Sequence, residues 1–316
     1  MHGFRLGLTA VALAAAAAPA WAQTPVYFTA DNGDTMRQGA AGSTIATLPT
    51  GNPADVDLVG DTLYYTDFTT DQFYSVPAAG GSATSFFNAS VAFTPSNPSI
   101  FSIAITPDAS TAYFGESLSK GIYTVPVSGG SPTKIVDLTA VTNYSVNSAT
   151  TAPKGITIAG NKVYWTDSTS DVTARANLDG SGAEVILNNR TLNGGLNNAF
   201  NALTIDPNGG KIYYADDTTD SIYVSNLDGS SAGLFKSLAG TLPGTFAPQD
   251  IEYLDGQLFV ADTTQGVYTI NLSTTAVSAY FGTDVDARGV AVPEPASAAV
   301  LGLAALGLVA RRRRVA

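Results

Sequence analysis

Six copies of a short aromatic segment recur through the middle of the chain, and their spacing constrains the fold more than any other feature. Each copy pairs two large apolar residues with a small residue and usually ends in aspartate or glutamate. The copies begin at Tyr27, Tyr64, Tyr113, Tyr164, Tyr213 and Leu258. Successive copies begin 37, 49, 51, 49 and 45 residues apart. A repeat of this length is typical of the blades of a β-propeller.

Each repeat has the pattern of four short strands. An alternating apolar strand, such as residues 155–158, precedes the aromatic strand, and a third strand, such as residues 221–225, follows it. An Asp-Gly or Gly-Gly turn, which suits the positive φ angles of a tight hairpin, then leads to a fourth strand such as residues 184–187. We therefore predict an all-β fold, a six-bladed β-propeller with four strands per blade.

The two ends of the repeat array predict how the ring closes. The first repeat starts directly at its aromatic strand and lacks an inner strand. The last repeat is followed by a spare apolar strand at residues 289–292. We expect this C-terminal strand to complete the first blade, because closure removes the open sheet edge of a linear array. The propeller then spans residues 23–292.

The repeat resembles the YWTD repeat of propellers of the low-density lipoprotein receptor class B type. The best copy is KVYWTD at residues 162–167, followed by an NLDG turn at residues 177–180. Copies three and six depart furthest from this pattern. The resemblance implies the wheel-shaped fold over nearly the whole body, but it implies little about function. In that family the repeat builds the wheel, and residues between the blades bind different ligands.

The N-terminus has the parts of a secretory signal peptide. Arg5 supplies a positive charge, residues 6–18 are largely apolar, and Ala20-Trp21-Ala22 matches the A-x-A cleavage pattern. The apolar part is short for a membrane span. We therefore predict that residues 1–22 direct export and that signal peptidase removes them.

The C-terminus, residues 293–316, resembles the PEP-CTERM sorting tag. An apolar segment at residues 296–310 separates two short motifs, which are Pro293-Glu294-Pro295 and Arg311-Arg312-Arg313-Arg314. The arginines favour a cytoplasmic location for that end. The resemblance implies an exosortase-like partner, brief anchoring in the inner membrane through the tag alone, and a final place on the outer surface or in the extracellular matrix. An ordinary C-terminal membrane anchor is the alternative.

Composition excludes several kinds of chemistry. The chain has no cysteine, and its one histidine, His2, lies in the predicted signal peptide. Thiol nucleophiles, disulfides and catalysis by imidazole are therefore excluded from the mature body. Residues 23–292 contain ten basic and 25 acidic residues. This charge excludes a nucleic-acid partner and predicts repulsion of an acidic polysaccharide unless calcium bridges the two.

Long connections between one blade and the next should emerge on one face, around the central channel. Loops on a rigid scaffold are where binding residues concentrate. Amides, acids and bases precede or begin the inner strands at this channel mouth. These candidate ligand-binding residues are Asp55, Lys154, Asn201, Gln249, Asp250 and Arg288.

We interpret the chain as an exported propeller without enzymatic activity. Its long-loop face is predicted to bind an extracellular polysaccharide or a protein partner. One alternative is a calcium-dependent hydrolase or lactonase at the channel mouth, because six-bladed lactonases of the gluconolactonase type hold calcium there with Glu, Asn and Asp. Asn201, Asp55 and Asp250 would supply a partial set. Another alternative is a structural matrix protein.

Acidic residues also recur four positions apart beside the aromatic strands, and these are weak calcium candidates. They include Asp167, Asp171, Asp216 and Asp220. Carboxylates suit calcium, but Asp in a tight turn also accepts hydrogen bonds from its own backbone. Because the pairs keep register with the blades, we favour turns, and we predict no cofactor, with calcium as the alternative.

Overall fold

The chain forms six four-stranded antiparallel sheets arranged as the blades of a propeller, as predicted. The computed structural model describes residues 25–30, 35–39, 41–49, 52–93, 100–144, 153–197, 200–282 and 286–293. Each blade places one inner strand at the central channel and one outer strand at the rim, with two strands between them. Strands neighbouring in sequence are neighbours in the sheet, except in blade 1.

The strands occupy equivalent positions in the six blades. The inner strands of blades 1 to 6 are Val290–Ala291, Pro53–Val59, Ala104–Ile105, Pro153–Ala159, Ala202–Asp206 and Pro248–Leu254. The second strands are Tyr27–Ala30, Thr62–Asp67, Thr111–Glu116, Lys162–Asp167, Lys211–Asp216 and Gln257–Asp262. The third strands are Thr35–Gln38, Gln72–Pro77, Gly121–Pro126, Val172–Asn177, Ser221–Asn226 and Gly266–Asn271. The outer strands are Ser43–Thr47, Thr84–Asn88, Thr133–Asp137, Glu184–Asn188, Gly233–Ser237 and Val277–Phe281.

Helical structure in the described residues is confined to single turns that follow three outer strands. They are an α-helical turn at Ala89–Ala92 and 3-10 turns at Leu138–Ala140 and Asn189–Thr191. Within the same part of the chain, no helix combines the length and the apolar character needed to cross a membrane. The predicted signal peptide and most of the predicted sorting tag, including Glu294, Pro295 and Arg311–Arg314, lie outside the described residues. Both assignments therefore stay predictions.

The C-terminal strand closes the ring, which confirms the expectation from the repeat. Tyr27 pairs with Ala291 and Phe28 with Val290. The Thr29 hydroxyl accepts the backbone N–H groups of Arg288 at 3.1 Å and Gly289 at 3.0 Å. The first blade is thus built from both ends of the body, and no strand of this sheet is left without its inner partner.

The aromatic strands supply the core between the blades. The second large residue of the segment is fully buried in successive blades, as Phe28, Tyr65, Phe114, Trp165 and Tyr214. These rings fill the space between twisted sheets.

The aspartate or glutamate that ends the segment has a separate role in the turn that follows. In blade 3, for example, Glu116 accepts the backbone N–H groups of Leu118 at 2.8 Å and Ser119 at 2.6 Å.

Gly155 marks the closest approach between the inner strands of blades 4 and 5. A Cβ atom at this position would lie 2.7 Å from the Cα atom of Ala202. Since backbone cannot move aside as a flexible side chain can, we expect Gly155→Ala to lower the free energy of unfolding by about 1–3 kcal/mol. Gly233→Ala is the control, because nothing lies within 4 Å of the added atom. Equal stability of the two variants in chemical denaturation would contradict this account.

Candidate functional site

The inner strands surround a central channel with a cavity of about 710 Å³. A smaller pocket of about 160 Å³ adjoins it at the start of the inner strands, on the face where the long connections lie. We call this smaller space the mouth pocket. It is lined by Asn52, Ala54, Phe68, Phe101, Lys154, Asn201, Gln249 and Arg288.

The structure brings four of the six predicted site residues together in the mouth pocket. These are Lys154, Asn201, Gln249 and Arg288. The other two, Asp55 and Asp250, line the adjoining channel. All six therefore lie at one end of the propeller axis, as their positions beside the inner strands predicted. Which of them act on a ligand stays a prediction.

Asp55 and Asp250 form a pair of carboxyl groups in the channel. The two carboxyl groups lie close enough for the charge of Asp250 to raise the pKa of Asp55. Each carboxyl group also accepts two backbone N–H groups. Asp55 accepts from Val56 at 2.7 Å and from Ile103 at 2.9 Å. Asp250 accepts from Ile251 and Val290, both at 2.8 Å. The bonds to Ile103 and Val290 reach the inner strand of the next blade, so the pair also joins blades.

The two carboxyl groups have unusual acidity. Burial raises the pKa of Asp55 well above its ordinary value, and the nearby charge of Asp250 raises it further. Burial also raises the pKa of Asp250, to about 6, although hydrogen bonds from the Val290 and Ile251 backbone oppose the rise. Because two adjacent carboxylates resist a second ionisation, the pair keeps one proton to a higher pH than an isolated carboxyl group would.

Blade 1 explains why the pair can meet. Asp55 belongs to blade 2 and Asp250 to blade 6, so the inner strand of blade 1 lies between them. At that point blade 1 carries Gly289. Because glycine has no side chain, blade 1 can pack closely against Val56 of blade 2. A Cβ atom there would lie 3.0 Å from Cγ1 and 3.2 Å from the backbone nitrogen of Val56. The closing strand thus helps to build the site as well as the ring.

Two further acids of the channel were not singled out from the sequence. Glu252 accepts the Thr204 hydroxyl at 3.2 Å, and Asp57 accepts the Ile105 N–H at 2.7 Å. Burial, with Asp250 and Asp57 nearby, raises the pKa of Glu252 well above its ordinary value. The alternation of side chains along a strand could have identified both acids. Asp57 and Glu252 lie two residues after Asp55 and Asp250, so they face the same side of their strands.

The mouth pocket contains two cationic side chains. The Lys154 ammonium donates to Asn201 Oδ1 at 3.0 Å and lies 5.9 Å from the Phe101 ring centre. Burial lowers the pKa of Lys154, although Asp217 and Asp167 oppose this shift. Arg288 donates to Asn52 Oδ1 at 3.0 Å and is paired with Asp286 at 3.2 Å.

Two nitrogen atoms of the mouth-pocket residues are buried without a hydrogen-bond partner. They are Nδ2 of Asn201 and Nε of Arg288. Asn201 is 5% exposed, and leaving such a donor unsatisfied costs about 1–3 kcal/mol. Phe68 and Phe101, which were also missed from the sequence, stack with ring centres 5.0 Å apart. They give the pocket an aromatic wall.

Two aromatic residues of the long connections between blades belong to the core. Tyr144 is buried, and its hydroxyl donates to Asp167 Oδ2 at 2.9 Å and accepts the Trp165 indole N–H at 3.1 Å. Phe200 is fully buried and stacks on Tyr214 at 4.7 Å. The loops need these anchors because a connection without strands has few other apolar contacts.

The weak calcium candidates lie in hairpin turns. Asp167 Oδ1 accepts the N–H groups of Thr169 and Ser170, both at 2.9 Å. Asp216 accepts the Thr218 N–H at 2.8 Å and the Thr219 hydroxyl at 2.9 Å. Their partners Asp171 and Asp220 have φ angles of 53° and 48° at the ends of these turns. The turn role accounts for the four-residue spacing.

The scan of family models finds one match, and it covers most of the propeller. The model is described as the SMP-30/gluconolactonase/LRE-like region and matches residues 51–306. The chain belongs to the SMP-30/gluconolactonase/LRE-like family. No curated protein sequence shows significant similarity to this family member.

Solved structures resemble this SMP-30/gluconolactonase/LRE-like chain in fold. A chain from a nidogen–laminin complex has a TM-score of 0.68 at 17% identity, covering 85% of this chain and 98% of its own. A protein of unknown function from Bacteroides thetaiotaomicron has a TM-score of 0.53 at 18% identity, covering 72% of this chain and 56% of its own. At these identities the likeness establishes the propeller fold alone.

Membership of the SMP-30/gluconolactonase/LRE-like family corrects one expectation from the sequence. We expected a protein without enzymatic activity, and a family named for a gluconolactonase instead points to a hydrolase. That expectation rested on the incomplete calcium-ligand set, to which only Asn201, Asp55 and Asp250 could contribute. Two carboxyl groups with separated pKa values supply an acid and a base without imidazole.

The calcium site of gluconolactonase-type enzymes does not fit the residues of this family member. Asn201 Oδ1, the oxygen that would bind the ion, accepts a hydrogen bond from the Lys154 ammonium. Both carboxyl oxygens of Asp55 and both of Asp250 accept backbone N–H groups. Within the described ranges, no three acidic side chains converge as metal ligands do. A cation beside the amide oxygen repels a second cation.

Proposed function

We propose that the protein is a hydrolase that opens a sugar ester or lactone at the mouth of its channel. The observation that carries this proposal is the close pair of buried carboxyl groups, Asp55 and Asp250, in the channel wall beside the mouth pocket. Membership of a family named for a gluconolactonase supports the same class of reaction. The pair has the one property that acid–base catalysis requires, because one carboxyl group is protonated while its neighbour is ionised.

The pair suggests a complete route for the reaction. Asp250, the more acidic group, takes a proton from a water molecule whose oxygen forms a bond to the carbonyl carbon. Asp55 gives its proton to the alkoxy oxygen as the bond between that oxygen and the carbonyl carbon breaks. The products are a hydroxyl group and a carboxylic acid. The acid then releases one proton, and a proton passes from Asp250 to Asp55 to restore the starting state.

The mouth pocket suits the sugar part of such a substrate. Phe68 and Phe101 provide an apolar wall for the face of a ring. The amides of Asn52, Asn201 and Gln249 provide polar groups for hydroxyl groups. A polysaccharide, the ligand expected from the sequence, could present such a bond where its sugars carry ester substituents.

Export belongs to this proposal. The predicted signal peptide and the predicted sorting tag would carry the body out of the cytoplasm, with signal peptidase and an exosortase-like enzyme as processing partners. A substrate outside the cell would then be an ester or lactone of an extracellular sugar polymer or of its fragments.

Hydrolysis of a panel of sugar lactones and acetylated sugars by the full chain tests the reaction. We expect Asp250→Asn to lower kcat/KM at least about a hundredfold, because it removes the base. The control is Asp228→Asn, a turn aspartate that caps Ser230 on the surface. Activity of the wild type should rise with pH as Asp250 ionises near 6, and a chelator should not reduce it.

Two results would refute this assignment. One is the absence of hydrolysis for every ester and lactone of the panel. The other is wild-type kcat/KM in a folded Asp250→Asn variant. Where Asp250→Asn fails to fold, Asp55→Asn replaces it, because that change removes the acid of the pair and should cause a comparable loss.

A further inference from the structure

The polar groups of the mouth pocket share a feature that goes beyond ester hydrolysis. Two of its three amide oxygens are used within the protein, since Asn201 Oδ1 accepts from Lys154 and Asn52 Oδ1 accepts from Arg288. Two nitrogen donors of its residues, Nδ2 of Asn201 and Nε of Arg288, are buried without a partner. The side chains of this pocket therefore have an excess of hydrogen-bond donors over free acceptors.

The charges at the pocket favour an anionic acceptor. Lys154 and Arg288 are both cationic, and only Arg288 has a carboxylate within salt-bridge distance, that of Asp286. Lys154 has no carboxylate at that distance within the described residues. Its hydrogen-bond partner is a neutral amide. An anion held between these groups would gain charge-assisted hydrogen bonds from donors that are already in place.

The aromatic wall narrows the class of anion. A bare inorganic ion would use the donors but would leave Phe68 and Phe101 without a partner. Phe68 remains 39% exposed, and its stacked pair with Phe101 offers a flat apolar surface beside Lys154. A carboxylate attached to a sugar ring would use the donors and the aromatic surface together.

We infer that the mouth pocket is a carboxylate subsite, in which Lys154, Asn201 and Arg288 bind the acid group of a uronic acid while its ring lies against Phe68 and Phe101. This inference rests on the proposed function and specifies its substrate as an ester or lactone of an acidic sugar. It also differs from the repulsion of acidic polymers expected from the overall charge, because the mouth pocket itself contains two cationic side chains, Lys154 and Arg288.

Calorimetric titration of the full chain with D-galacturonate, D-galactose, acetate and phosphate tests the subsite. We expect galacturonate to bind at least tenfold more tightly than galactose, which lacks the carboxylate, and than acetate, which lacks the ring. Phosphate should bind weakly. Equal affinity for galacturonate and galactose would overturn the inference, as would phosphate binding more tightly than galacturonate.

Two variants remove the donors separately. Lys154→Gln should weaken galacturonate binding at least tenfold. Asn201→Asp retains an oxygen for Lys154 but replaces the unpaired donor with a charged acceptor, so it should also abolish the preference for galacturonate. The matched control is Lys162→Gln, because Lys162 makes an equivalent bond to Asn177 at 2.9 Å away from the mouth. Unchanged galacturonate affinity in a folded Lys154→Gln or Asn201→Asp variant, or an equal loss in Lys162→Gln, would refute the assignment.

Free galacturonate has no ester bond, so its binding is measured independently of hydrolysis. Hydrolysis that depends on Asp250 without selective galacturonate binding would refute the subsite and leave the proposed function standing. Selective galacturonate binding without hydrolysis of any ester or lactone of the panel would refute the proposed function and leave an acid-sugar binding site.

Discussion

Deleting residues 290–316 should abolish the cooperative unfolding of the propeller, whereas deleting only residues 294–316 should leave its melting unchanged. The first deletion removes the inner strand Val290–Ala291 that completes blade 1. The second removes most of the predicted sorting tag and keeps the strand. The two shortened chains end four residues apart, at residues 289 and 293, and both lack most of the tag. The difference between their melting temperatures therefore reports the contribution of ring closure.

The size of the effect follows from what the closing strand buries. Val290 and Ala291 are at most 1% exposed, and Val292 is 9% exposed. Burial of a valine side chain stabilises a protein by about 1.5–3 kcal/mol. The deletion also exposes Phe28 and leaves Asp250 without the N–H of Val290. These losses together approach the total stability of a typical domain, about 5–15 kcal/mol.

Thermal unfolding followed by circular dichroism measures this difference. The longer deletion should lower the melting temperature by more than about 10 °C or broaden the transition beyond two-state behaviour. Its exposed sheet edge in blade 1 should also cause association, visible in size-exclusion chromatography. A cooperative transition at the temperature of the full chain would mean that the strand does not close the ring.

The fold could be predicted from the sequence because every blade repeats the same local signals. Trp165 and Tyr65 mark the buried second strand, and the turn glycines mark the hairpins, so one well-matched repeat identifies the others. Ring closure followed from counting strands. The site residues beside the inner strands could be placed for the same reason, since the start of each inner strand faces the channel mouth.

The contacts within the site could not be predicted from the sequence. Asp55 and Asp250 are 195 positions apart, and their meeting depends on the close approach of Gly289, which local patterns do not reveal. Phe68 lies in a turn and Phe101 in a loop, so neither shows a periodic signal. The place of Tyr144 could not be predicted either, because a polar hydroxyl in a long loop gives no sign that it bonds Asp167 and Trp165 in the core.

Raising the pH from 5 to 8 should lower the stability of the wild-type protein. Asp250, Asp55 and Glu252 have pKa values raised in the folded state by burial. The folded protein therefore binds more protons than the unfolded chain in this range, and its free energy of unfolding falls as pH rises. For Asp250 alone, a rise from 3.8 to about 6 corresponds to about 3 kcal/mol in total, of which roughly half is lost between pH 5 and 8 because the rest is lost at lower pH.

Other acids do not reverse this trend. Four surface aspartates have pKa values lowered by hydrogen bonds in their turns: Asp108, Asp137, Asp179 and Asp228. They are ionised in both the folded and the unfolded states above pH 5, so they affect stability only at lower pH, where their loss of charge destabilises the fold. Asp71, Asp216 and Asp220 have raised pKa values and act in the same direction as the channel acids.

The variant Glu252→Gln isolates the channel contribution. Glutamine keeps an oxygen for the Thr204 hydroxyl and removes a charge that burial disfavours. We expect it to raise the melting temperature at pH 8 and to leave it nearly unchanged at pH 5, so that the melting temperature depends less on pH.

The control is Glu184→Gln at the surface, where the glutamate pairs with Arg175 at 2.8 Å. That change should lower stability slightly at both pH values, because it removes an exposed salt bridge. Parallel profiles for the wild type and Glu252→Gln, or a wild-type melting temperature that rises between pH 5 and 8, would show that the channel acids ionise without cost in the folded state.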